Sequence, residues 1–522
     1  MLSQLLALAA TTSVVSASFL KGCAEAKWDS DTDFWQHKFI PQDSDAFVAD
    51  YNKTYATIRN HAGWTVLHCT NEPPPLEAVR GDKDTLFVKV PVTSVGALDG
   101  FSQNLIDMLG MSKTIHRVGK YDTVTTACVR GSMYNNITYD QDNWDKAPEV
   151  NVTFYGDGHN KDPKKFLIFN SFYSPLGAAS YLKVVSMFFG LEERAESIYD
   201  AIVANYRCAA ANVQDRIMNN NWPQGALLSA VQKQGENYAV YQNDFWTTLA
   251  NDAGVRLVNV SSDGKPTGEY EYPGVYTINA KDAPKSKLAS ESWAIIDTTQ
   301  YLATDDLRLN SKEFPSPPDV TTYMQLSGVS SDIYAWNQKN IILTDKGTNR
   351  NLRHNFMDKG PARPDLVLYD LLTMINPSMT AGIYTTQFMR NIKNPGDTAY
   401  QLATIDSCTP EDNTLGALNI TKCELPKWAL GFHKSGASAN AYGRQETIKS
   451  LALGGEAKAS GLSKGAKAGI SVGSIVGGLL IIGAILAAVL FARKRSANKA
   501  ANGPDMEKAA AEKRSTTGSL SS

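Results

Sequence analysis

His68 and Cys69, with Glu72 close behind, place an imidazole, a thiol and a carboxylate in one short stretch, HCTNEPPPLEAVRG, His68 to Gly81. Such a trio could activate a nucleophile or begin a metal site. Neither use has support in the surrounding residues, because no base is paired with an orienting group and no second metal motif accompanies it. No CxxC or Cys/His cluster has zinc spacing, and H-E-x-x-H is absent. The G-x-S-x-G matches, Gly461 to Gly465 and Gly469 to Gly473, fall in a Gly/Ala/Ser/Lys-rich run and an uncharged apolar run. A hydrolase would carry that motif at a strand-to-helix turn. A disulfide beside a proline-stiffened loop accounts for His68 to Gly81 more simply, and the chain reads as a non-enzyme.

Four other stretches combine aromatic and polar side chains as a binding surface would. They are GKYDT with Tyr121 and Asp122, NSFYSP with Phe172 and Tyr173, YQNDFW with Tyr241, Asn243, Phe245 and Trp246, and TNRNLRHNF with Arg350, Arg353, His354 and Phe356. Flat apolar rings with a few hydrogen-bonding groups suit a large planar or macrocyclic ligand. Each residue has a plainer use: Trp246 as core, Asp122 as a turn cap, His354 as a surface residue rather than an approach to a metal centre.

Elements that could position these loops are visible in the hydrophobic pattern. TLFVKVP (Thr85 to Pro91), KFLIFN (Lys165 to Asn170), GALLSAV (Gly225 to Val231), SWAIIDT (Ser292 to Thr298) and NIILTD (Asn340 to Asp345) read as strands. Helical spacing appears in GFSQNLIDMLG (Gly100 to Gly110), around Leu176 to Phe189, from Glu192 through Tyr206, near Phe245 to Ala253 and in RPDLVLYDLLTMI (Arg363 to Ile375). Strands alternating with helices predict an α/β protein with mostly parallel sheets. The long helical segment between two such sets predicts two lobes with a stiff connection.

The ends of the chain point to the secretory route. Leu5 to Val15 is mostly apolar and precedes the small-residue pattern Val15-Ser16-Ala17, which reads as a signal peptide, although a basic n-region is missing. Ala468 to Ala492 is uncharged, and at about 1.5 Å rise per residue it reaches across a hydrocarbon core of roughly 30 Å. Arg493-Lys494-Arg495 after it predicts a cytoplasmic tail and a type I single-pass protein. Gly469, Gly473 and Gly477 share one face of that span, a spacing that permits helix pairing, though small residues are common in such helices. Sequons at Asn52, Asn136, Asn151, Asn259 and Asn419 predict glycosylation.

The six cysteines, Cys23, Cys69, Cys128, Cys208, Cys408 and Cys423, all precede the span, and they allow 15 connectivities. Cys408 with Cys423 is the expected pair because they bracket a short polar loop. A net charge of −2 and a hydrophobic fraction of 43% give no case for nucleic acid or an acidic substrate.

Three segments in order resemble one family: LFVKVPVTSVGALDGFSQNLIDMLGMSKTIHRVG, YSPLGAASYLKVVSMFFGLEERAESIYDAIVANY, and KNIILTDKGTNRNLRHNFMDKGPARPDLVLYDLLTMINPSM. They are similar to the bilobed substrate-binding proteins of bacterial cobalamin and iron-siderophore importers, over about Trp64 to Met379. With the leader, sequons and anchor, the chain looks like the membrane-anchored algal cobalamin-acquisition relatives of that family.

The resemblance implies a class III periplasmic-binding-protein-like fold. Its parts would be a signal peptide (1–17), an N-terminal extension (18–61), a first α/β lobe (62–191), a linking helix (192–220), a second lobe with a C-terminal extension (221–433), a flexible linker (434–467), the membrane helix (468–492) and a tail (493–522). It implies a receptor at the plasma or endosomal membrane that captures cobalamin as transported ligand, with no cofactor, or alternatively a ferrichrome-type iron siderophore. The ligand would lie between lobes, against the four aromatic and polar stretches above. Where the family carries an acidic permease-docking knob after its Ser-Pro-Leu-Gly turn, this chain has Ala178, Ala179, Ser180 and Tyr181. No conventional permease partner is therefore expected, and Ser180→Glu is expected to leave ligand affinity unchanged.

Overall fold

The computed structural model describes residues 22–426 apart from 30, 40–46, 61–62, 80, 157–164, 169–172, 224, 267–273, 302–317, 329–332, 339, 350, 395–400, 403–407, 409–422 and 425. The expected signal peptide, linker, membrane helix and tail lie outside the described residues, as do Phe172, Arg350 and Asn419. No helix among the described residues is long and apolar enough to cross a membrane.

The first part begins with a four-stranded sheet in the order β1 (Val48–Tyr51), β2 (Tyr55–Asn60), β3 (Gly63–His68), β4 (Leu86–Lys89). Its first three strands are antiparallel and β4 runs parallel to β3. A second sheet is wholly parallel, in the order β6-β5-β7-β8, from β5 (Val95–Ala97), β6 (Ile115–Arg117), β7 (Val152–Tyr155) and β8 (Lys165–Leu167). Helix α1 (Gly100–Met108) follows β5 and α2 (Ala127–Tyr134) follows β6, then α3 (Pro175–Ala179) and α4 (Tyr181–Phe189) close this part. Ser174 caps α3, accepting from the Gly177 amide, and Gly190 ends α4 at φ 68, where a side chain would be strained. All nine residues of α4 are buried.

Much of that cover comes from the chain's N-terminal region. The Phe47 ring meets Tyr181 at 5.4 Å, and Lys183 Nζ lies 5.6 Å from the Phe39 ring and 4.7 Å from Tyr199. Trp35 and Phe39 belong to the same hydrophobic core as the parallel sheet, and Cys23 is bonded to Cys69. His68 Nδ1 contacts the Thr70 carbonyl, so the imidazole beside Cys69 serves its own turn.

Helix α5 (Glu192–Met218) joins the two parts. At about 1.5 Å per residue it spans roughly 40 Å. Ala195, Ile198, Tyr199 and Ile202 pack into the first core, whereas Tyr206, Ala209 and Val213 pack into the second. One rigid element thus has each half built into a different core.

The second part holds a mixed sheet, β12-β13-β10-β9-β14-β15-β17, with β11 beside β9. Its strands are β9 (Leu227–Gln234), β10 (Asn237–Tyr241), β11 (Arg256–Leu257), β12 (Lys265–Pro266), β13 (Val275–Asn279), β14 (Ala294–Asp297), β15 (Ile341–Leu343) and β17 (Arg390–Asn391). The short β16 (Gly347–Thr348) pairs in parallel with β18 (Gln401–Leu402). The helices are α6 (Asp244–Asp252), α7 (Lys287–Glu291), α8 (Val320–Ser327), α9 (Tyr334–Asn337), α10 (Phe356–Lys359) and α11 (Pro364–Ile375). The expected mostly parallel arrangement holds for β9, β11, β14 and β15, while the pairs β9–β10, β10–β13, β12–β13 and β15–β17 are antiparallel. On α11, Asp370 accepts from the amides of Gln387, Phe388 and Met389 and so binds the following segment to the core.

The disulfides correct one expectation. Cys408 is bonded to Cys128 on α2 and Cys423 to Cys208 on α5, so the two do not pair with each other. Nearness in sequence does not decide pairing, because a bridge needs Cα atoms within about 4.4–6.8 Å. The fold supplies that distance to helix partners, at 4.6 and 6.2 Å. The region after β18 is thereby tied to the first part and to the linking helix. The sequon residues Asn52, Asn136, Asn151 and Asn259 are all exposed.

Candidate ligand-binding seam

The two parts meet through loops at the carboxyl ends of β5 and β6 on one side and the segment after β15 on the other. In open α/β sheets these are the ends where ligands gather. After β5, Asp99 caps α1, accepting from the Ser102 amide at 2.9 Å and the Ser102 hydroxyl at 2.6 Å. Gly100 then opens the helix, and a Cβ there would overlap the carboxylate of Asp358 on α10. The glycine is what allows α10 to lie against α1.

After β6, the turn Tyr121–Thr123 presents Asp122, whose carboxylate accepts from Arg353 Nη2 at 2.9 Å. Asn349 Nδ2 donates to the carbonyls of Asp122 and Val124, at 2.8 and 2.9 Å. The Asn349 Oδ1 meanwhile accepts from the amides of Asn351 and Arg353, so one side chain shapes its own loop and clasps the opposite one. Leu352, buried in that loop, has φ 59, a left-handed conformation strained for a side chain of its size. Thr125 Oγ1 donates to Asp358 Oδ2 at 2.5 Å.

Burial pushes the Asp358 carboxyl up to about 7; the Thr125 hydroxyl opposes this, the Asp99 charge adds to it, and Lys359 opposes it weakly. Burial likewise raises Asp99 and drives His354 down to about 4, leaving its ring neutral at ordinary pH. Four buried side-chain atoms, Gln103 Oε1, Thr126 Oγ1, His354 Nδ1 and Asn355 Oδ1, make no hydrogen bond among the described residues. The first two belong to the first part and the last two to the second.

Of the residues expected to face a ligand, Tyr121, Asp122, Arg353 and His354 are brought together here. Tyr121 is half-buried with the Arg130 guanidinium 5.2 Å over its ring. The others are placed elsewhere. Tyr173 packs against Tyr181 in the first core; Phe245, Trp246 and Phe356 form an aromatic run in the second, with Trp246 5.8 Å from both neighbours. Asn243 caps α6 through the Trp246 amide, and Tyr241 donates to Gln232 Oε1. These rings alternate with polar residues in sequence because they sit at element boundaries, where core and cap positions interleave. Asp99, Gly100, Thr125, Asn349 and Asp358 were missed. Asn349 lies inside the TNRNLRHNF stretch, and a glycine opening a helix directly after a strand was the available sign for Gly100.

No family model and no curated protein matches the sequence. Solved structures similar to it are bacterial periplasmic binding proteins. The catecholate-siderophore binding protein VctP of Vibrio cholerae is 10% identical, covering 61% of this chain and 99% of that one, with a TM-score of 0.38. A haem-binding protein of Pseudomonas aeruginosa is 13% identical over 55% of this chain and 94% of that one, at 0.37. A component of a ferrichrome transporter of Bacillus subtilis is 11% identical over 55% and 97%, at 0.34. All three scores are below 0.5, so a functional reading has to rest on this chain's own residues.

Proposed function

We propose that this chain is a non-catalytic bilobed receptor for a compact, hydrogen-bonding ligand without net charge, a ferric hydroxamate chelate ahead of cobalamin. The observation that carries this is the pairing pattern of the seam. The Asp122–Arg353 pair is joined across it, while four buried polar atoms, two from each part, have no hydrogen-bond partner among the described residues. Buried polar atoms are ordinarily hydrogen-bonded, so a surface that leaves several open suits a partner bringing its own donors and acceptors.

Charge and shape narrow the ligand. Three monoanionic hydroxamates balance one ferric ion, so such a chelate is neutral and can enter beside Asp99 and Asp358 without desolvating a net charge. A tris-catecholate chelate remains an anion and would be repelled by the same carboxylates. A broad planar corrinoid would want exposed rings, but Phe245, Trp246, Phe356 and Tyr173 are consumed by the cores. The leader-like, sequon and apolar C-terminal stretches support an anchored, outward-facing receptor on the plasma or endosomal membrane.

Titration of residues 18–460 with ferrichrome, a ferric tris-catecholate and cyanocobalamin tests the reading. Saturable micromolar or tighter binding of ferrichrome, weakened by Asn355→Ala and Gln103→Ala, is expected. Preference for the catecholate or for cobalamin overturns the ligand class. The direct contacts across the seam favour a second reading, a structural surface protein, for which none of the three ligands would bind.

A further inference from the structure

Asp99 and Asp358 come from different parts of the molecule and are both half-buried; the Asp358 carboxylate lies where a Cβ on Gly100, the residue after Asp99, would be, and the Asp99 charge reaches it. We propose that this pair is a proton-operated latch between the two lobes, closing when it holds a proton and loosening when both carboxylates are ionised. Two carboxylates that feel each other's charge in a partly desolvated place cannot both be ionised without cost.

The groups around the pair do not supply that compensation. From α1, the Asp99 oxygens are taken by the amide and hydroxyl of Ser102, and Asp107, at the far end, is held by Ser112. From the loop before α2, Thr125 offers Asp358 a neutral hydroxyl. The nearby Arg353 guanidinium is engaged by Asp122, and His354 is neutral. Lys359, on α10 itself, lowers the Asp358 value less than burial and Asp99 raise it.

The direction follows from linkage. With the lobes apart Asp358 returns to the ordinary carboxylate value near 3.8, and in the closed seam it is raised to about 7. Between those values the closed state holds one more proton than the open one. Closing therefore weakens by up to about tenfold per pH unit as pH rises through that window, and the gain is complete below it. On the ligand reading above, proton uptake would compete with ligand for the same surface, so acidification would favour release.

The latch can be tested on the protein without any ligand, so its failure is separable from failure of that reading. Spin labels at Lys113→Cys and Lys281→Cys, both exposed and on opposite parts, report the separation of the lobes by pulsed electron resonance. A distance distribution that lengthens or broadens from pH 6 to pH 8 is expected, and Asp358→Asn, neutral at every pH, should stay short throughout. Asp99→Asn keeps a good helix cap and removes the repulsion, so its lobes should stay together to higher pH than those of the wild type. A wild-type distribution independent of pH, or an Asp358→Asn protein that responds like wild type, overturns the proposal.

Discussion

Asp122 and Arg353 stand 231 residues apart in the chain and form a 2.9 Å ion pair that closes one side of the seam between the two α/β parts. Asp122 is 9% exposed and Arg353 27%, so the pair is neither a surface bridge nor a fully dry one. Removing the guanidinium leaves a nearly buried carboxylate with one fewer partner, which costs more than a surface pair is worth. Arg353→Ala should lower unfolding stability by about 1–3 kcal/mol. A double-mutant cycle with Asp122→Ala should show coupling; strict additivity in chemical denaturation would mean that the two do not meet in solution.

Gly100→Ala separates helix propensity from lobe contact. Alanine favours a helix over glycine by about 1 kcal/mol, so on α1 alone the substitution stabilises. Here the added methyl displaces the Asp358 carboxylate and the α10 contact with it. We expect a net loss of stability in the wild-type background and a neutral or positive effect in Asp358→Ala. Equal effects in both backgrounds, read from denaturant midpoints, would remove Gly100 from the seam.

The parts of this fold that were legible in sequence are those with a strong period and local punctuation. Glu192 to Met218 could be read as one helix because Ala195, Ile198, Ile202 and Tyr206 step by three and four. The seam was only half legible. Asp122, Arg353 and His354 stood out by type, but Asp358 and Asn349 act through residues more than two hundred positions away, and no periodicity encodes that. The aromatic residues are placed in the core for a physical reason: Trp246 and Phe356 lie next to a cap and a loop, so their sequence context is polar while their packing is not.

Disulfide connectivity was the least readable feature. Peptide mapping of the oxidised protein should recover Cys128 linked to Cys408 and Cys208 linked to Cys423. Each bridge closes a long loop, so Cys128→Ser with Cys408→Ser should cost about 2–5 kcal/mol. It should also release the region after β18 from α2. A peptide linking Cys408 directly to Cys423 would contradict the arrangement.

Ser180 gives the clearest reversal of a sequence expectation. A surface position would accept Ser180→Glu without consequence, but the residue is 3% exposed, and its hydroxyl donates to the Gly177 carbonyl at 2.6 Å. The next residue, Tyr181, packs against Phe47, and Lys183 two further on lies over Phe39, so the N-terminal region covers this face. A docking knob could not protrude there whatever its charge. Ser180→Ala should lose about 1 kcal/mol with its hydrogen bond. Ser180→Glu must bury a carboxylate without a partner and should lose several kcal/mol or fail to fold. Thermal unfolding distinguishes the cases, because a Ser180→Glu protein as stable as wild type would show that the helix face is open and that the N-terminal region does not lie on it.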